Sequence, residues 1–67
     1  MSMREVLYET VRLGSLVKVT AIDAATGLEA AVVGRLGGDP SALRGLALRK
    51  LTYLLARSAP RRSPAKP

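Results

Sequence analysis

Arg49, Lys50, Tyr53 and Arg57 lie in the stretch ALRKLTYLLAR, residues 47–57. On a helix that spacing gathers three cations and a phenol ring on one flank, with Leu46 among them. Cations at helical intervals neutralise phosphates along a nucleic-acid backbone, and a tyrosine can stack on an unpaired base. A plainer account fits the same residues: positive side chains in the last turns complement the helix dipole, and a small domain needs a charged exterior. Arg61, Arg62 and Lys66 follow in the segment APRRSPAKP. Such a basic extension either enlarges an electrostatic footprint or only keeps the chain in solution.

Other chemistry finds little support. The chain has no His and no Cys, which removes disulfides and every thiolate or imidazole metal site. Ser15, Ser41 and Ser58 have no evident base to activate them. Glu5 and Glu9 on a strand would stand about 13 Å apart, too far for a pair of cooperating carboxylates. The glycines of GRLGGDPS precede a helix start and so suggest a phosphate loop, but the GK[ST] ending is missing and Asp39 would repel the anion. The expectation is a protein that is not an enzyme, with no catalytic residues, no metal and no cofactor.

Charge is distributed unevenly over the 67 residues, whose formal net charge is +6. In residues 1–38, Arg4, Arg12, Lys18 and Arg35 balance Glu5, Glu9, Asp23 and Glu29, so the excess lies in the C-terminal part. That asymmetry favours nucleic acid, anionic lipid or an acidic protein surface as a partner. Membrane binding is the weakest of these, because the apolar side of the closing helix is needed for a core. No apolar run approaches the roughly 18 residues that span a bilayer, and MSMREVLYE does not read as a secretory leader. A cytoplasmic location is expected.

The elements that must carry these residues follow from periodicity. EVLYETVRL and SLVKVTAI alternate with period two and are expected to form a hairpin around Leu13-Gly14, pairing Thr10 with Val17, Tyr8 with Val19 and Glu9 with Lys18. In IDAATGLEAAVV, Asp23 can bond turn amides and Gly27 can take a positive φ, which pairs Asp23 with Leu28, Ala21 with Ala30 and Val19 with Val32. Asp39 then caps a helix that starts at Pro40 and runs to about Ser58. Its row of Leu43, Ala47, Leu48, Leu51, Leu54 and Leu55 can cover a sheet face made of Val6, Tyr8, Val17, Val19, Ala21, Ala30 and Val32. The expected fold class is therefore α+β: a three-stranded antiparallel meander with one C-terminal helix packed on one face (βββα). The domain is expected over residues 1–58, with 59–67 a disordered, basic, proline-rich tail.

One helix cannot cover both faces of a sheet. Leu7, Val11, Leu16, Ile22, Ala31 and Val33 are thereby left on the other side, among Glu5, Glu9, Lys18, Thr20 and Glu29. A contiguous apolar patch of this kind marks an interface. A core built by about 55 residues is only marginally sufficient, which also favours association. A homodimer or a larger protein partner is expected there.

The run VRLGSLVKVTAIDAATGLEAAVVG, followed by ALRKLTYLLAR, resembles a family of short uncharacterised proteins from alphaproteobacteria. The most specific element is VKVTAIDAATGLE, residues 17–29. That resemblance implies a bacterial cytosolic origin and supplies no site residues. The order of three antiparallel strands and a basic helix is also similar to the later part of double-stranded RNA-binding domains. Here, however, the first helix is missing and DPSALR stands where that family has a lysine cluster. The leading expectation is a small basic protein that binds nucleic acid or another polyanion through Arg49, Lys50, Tyr53, Arg57 and the tail cations. The alternative is a dimerising or partner-docking module that uses the apolar sheet face.

Overall fold

The computed structural model describes residues 4–57. Three strands, β1 (Val6–Leu13), β2 (Leu16–Asp23) and β3 (Glu29–Arg35), form an antiparallel sheet in the order β1-β2-β3, and helix α1 (Pro40–Arg57) follows. The α+β, βββα architecture expected from the sequence is the one observed. The proposed tail, with Arg61, Arg62 and Lys66, lies outside the described residues.

The first hairpin turns at Gly14-Ser15 rather than Leu13-Gly14. Leu13 pairs with Leu16, and the register runs Val11 with Lys18, Glu9 with Thr20 and Leu7 with Ile22. Gly14 has φ 63° and no non-glycine residue among those described has a positive φ, the pattern of a type II′ loop with glycine in its first position. The expected register is two residues off, a slip that leaves each side chain on its own face. Apolar alternation therefore cannot detect it. The Glu9–Lys18 pairing that favoured the other register contributes only tenths of a kcal/mol, about 0.2–1 at most, and turn geometry prevails over it.

The second connection is organised by Asp23. Its Oδ2 accepts from the Thr26 amide at 3.0 Å and the Thr26 hydroxyl at 2.7 Å, while its carbonyl accepts from the Gly27 amide at 2.7 Å. Arg4 reaches Oδ1 at 3.2 Å. Asp23 is fully buried, so the three contacts to its carboxylate take the place of water around an ionic side chain. Gly27 sits at φ 79°. The expected pairing of β2 with β3 is observed, with Ala21 opposite Ala30 and Val19 opposite Val32.

Asp39 caps α1 by accepting from the Ser41 amide at 3.0 Å, and Pro40 opens the helix where no amide is required. The helix lies on β2 and β3, and the core beneath it is Val19, Ala21, Ala30, Ala47 and Leu51. Tyr8 and Leu48, expected in this core, are 40% and 38% exposed. A helix is about 10–12 Å across and three strands about 14 Å, so a helix seated over β2 and β3 leaves β1 beyond Val6 largely uncovered on that side. No helix among the described residues is long and apolar enough to cross a membrane.

Candidate interaction surfaces

The sheet face turned away from α1 is ordered by the register into four cross-strand rows. From one end to the other they are Leu7–Ile22–Glu29, Glu9–Thr20–Ala31, Val11–Lys18–Val33 and Leu13–Leu16–Arg35. Leu7, Val11, Leu13, Leu16 and Val33 are 48%, 39%, 49%, 43% and 55% exposed, and Ile22 and Ala31 are half-buried. Thr20, in the middle strand, is buried. All six residues expected on this surface are together on it. Leu13 and Arg35 join them, Leu13 because the turn lies at Gly14-Ser15 and Arg35 because β3 runs on to pair it with Leu16. Carrying the alternation one residue further on each strand would have found both.

The rows also sort the charges. Glu9 and Glu29 belong to the first two rows, Lys18 and Arg35 to the last two. Among the described residues the ion pair is Arg4–Asp23, and the four charges of the open face have no ionic partner among those residues.

The helix flank is also exposed. Arg49, Lys50, Tyr53 and Arg57 all reach solvent, Tyr53 at 60%, and α1 has no acidic residue. Two of the cations have local partners. Lys50 Nζ donates to the Ala31 carbonyl oxygen at 2.9 Å. Because Asp23 and Leu28 form a hydrogen-bonded pair, the alternation along β3 turns the Ala31 carbonyl outward, to the free edge of the sheet. Lys50 thus covers an edge group that another strand could otherwise bond. Arg57 Nη1 donates to Tyr53 Oη at 3.2 Å, and its guanidinium carbon lies 5.6 Å from the ring centroid. The ring is thereby held by a cation one turn on. Arg49 has no such contact among the described residues. The four residues share a flank as expected, but as an edge cover, a cation–π pair and one solvated arginine.

A cavity of about 190 Å³ opens beside the N-terminal half of α1, among Thr10, Val17, Val19, Leu36, Leu43 and Arg44. It falls below the roughly 300 Å³ at which small-molecule sites begin. Arg44, which the helical wheel puts among the apolar positions, reaches solvent at its rim. Among the described residues no three His, Cys, Asp or Glu side chains come together as metal ligands.

A family model described as a domain of unknown function, DUF6898, matches residues 3–58. No curated protein and no solved structure matches the chain.

Proposed function

The chain belongs to that family of domains of unknown function, and we propose that it is a non-enzymatic protein-interaction module that docks through the open face of its sheet. The observation that carries this reading is the exposure of Leu7, Val11, Leu13, Leu16 and Val33, five large apolar side chains on one face of the sheet that no described element covers. A domain of this size has little apolar area to spare, and leaving so much of it in water is costly unless another surface covers it. The resemblance to short alphaproteobacterial proteins supports a bacterial, cytoplasmic setting.

The test is quantitative affinity capture from native cells with the full chain, Val33→Lys and Arg49→Glu as baits, each with and without nuclease. The docking reading expects proteins recovered by the full chain to be lost with Val33→Lys, kept with Arg49→Glu and indifferent to nuclease. Recovery that Val33→Lys leaves intact overturns it.

A second reading, polyanion binding, is favoured by the absence of any carboxylate on α1 beside four cations, Arg44, Arg49, Lys50 and Arg57. The tail cations Arg61, Arg62 and Lys66 extend the same charge along the chain. It ranks second because Lys50 and Arg57 already have partners and one side of the Tyr53 ring faces Arg57. Electrophoretic shift across a salt series tests it: absence of binding to DNA and RNA at about 50 mM salt, where electrostatic affinity is greatest, rejects it.

A further inference from the structure

We propose that the partner of the open face is a second copy of this chain, laid across it with strands antiparallel so that Glu29 of each copy meets Arg35 of the other. The inference rests on the docking reading above and specifies its partner.

The argument comes from charge placement. The face carries its acids, Glu9 and Glu29, in the two rows at one end and its bases, Lys18 and Arg35, in the two rows at the other. Two identical sheets can be brought face to face by a two-fold axis lying between them in one of two principal directions. An axis along the strands puts each row on itself. Lys18 of the middle strand then opposes Lys18, and Leu7 opposes Glu29 across the sheet. An axis perpendicular to the strands reverses the row order and leaves each strand over its own copy. The first row then covers the fourth: Leu7 on Leu13, Ile22 on Leu16, Glu29 on Arg35. The second row covers the third, which brings Glu9 and Lys18 into neighbouring positions. Each of these contacts occurs twice by symmetry. The twist of packed sheets turns them by about 30° and makes the matches approximate without changing which ends meet. Like charges facing each other at an interface exclude the first arrangement, and opposite charges at its two ends favour the second.

The footprint is small. Three strands about 4.8 Å apart and four rows about 6.8 Å apart make a face of about 400 Å². A standard interface takes about 800 Å² from each partner, so this one falls among small, weakly associating contacts.

Sedimentation equilibrium of the full chain from about 10 µM to about 1 mM tests the proposal. The wild type is expected to form dimers. Glu29→Arg and Arg35→Glu are each expected to weaken dimerisation by about tenfold or more, and the double variant to recover to within about threefold of wild type. Circular dichroism establishes that each variant is folded. A double variant no stronger than either single one overturns the arrangement. The chain's lack of cysteine permits a second readout. Oxidation of a mixture of Ile22→Cys and Leu16→Cys is expected to give the mixed disulfide, and an Ile22→Cys homodimer as the main product overturns the proposal in favour of the parallel arrangement. A wild type that is monomeric at about 1 mM also overturns it. If capture from cells still depends on Val33 in that case, the docking reading stands with a different partner; if it does not, both readings fail.

Discussion

Leu43 Cδ2 lies 2.5 Å from where a Cβ on Gly34 would stand. The helix and the end of β3 approach closely because that position has no side chain, and this contact seats the N-terminal half of α1 on the sheet. Gly34→Ala is expected to displace the Leu43 side chain at a cost of up to about 1–2 kcal/mol, to be read by urea denaturation. Gly34→Val is expected to cost more, whereas an alanine at Gly45, where no atom comes within 4 Å of the new Cβ, is expected to be stabilising by up to about 1 kcal/mol.

Asp23 ties the second turn to the chain N-terminal of β1 through Thr26 and Arg4. Asp23→Ala leaves the Thr26 hydroxyl and amide without their acceptor and the Arg4 guanidinium without its counter-ion. A loss of about 2–3 kcal/mol is expected. Asp23→Asn keeps an acceptor for Thr26 but loses the charge and sets an amide NH2 against Arg4, and its loss is expected to be smaller than that of Asp23→Ala because the Thr26 contacts survive. Equal losses for the two would place the stabilisation in the ion pair with Arg4, contrary to this account.

Leu51 is fully buried at the centre of the core. Leu51→Ala is expected to cost about 2–4 kcal/mol. Small domains hold only about 0.05–0.15 kcal/mol per residue, so this variant is expected to lose a large share of the domain's stability, read as a lowered urea midpoint by circular dichroism.

Much of this fold is legible in the residues. Alternation marks all three strands, Gly27 and Asp23 fix the β2–β3 register, and Asp39-Pro40 marks the helix start where it is observed. The β1–β2 register is not legible in the same way. A shift of two residues preserves the apolar face, and only the conformation of Gly14 decides between the alternatives. The exposure of Tyr8 is hidden for another reason: alternation assigns a side chain to a face but does not say how far a single helix reaches across it. The ordered charges of the open face become visible only after the register is known. Lys50 is the remaining gap, since a wheel shows it beside the core but not its distance from a strand edge.

Lys50 covers the Ala31 carbonyl with an exposed bond, so Lys50→Met is expected to lower stability by less than about 1 kcal/mol. Its larger effect is expected on the bared edge of β3, which becomes more prone to pair with other strands. Thioflavin fluorescence on prolonged incubation measures this. Aggregation no faster than wild type would show that the contact does not protect the edge.

The central claim is that the sheet face opposite α1 is the surface through which two copies of this chain meet. Methyl carbon–proton spectra of the full chain, recorded across a concentration series from about 20 µM to about 1 mM, test it most directly. The account predicts concentration-dependent shifts at the methyls of Leu7, Val11, Leu13, Leu16, Ile22 and Val33, with those of Val19 and Leu51 unchanged. Shifts confined to the helix flank around Leu46, or none at the highest concentration, would contradict it.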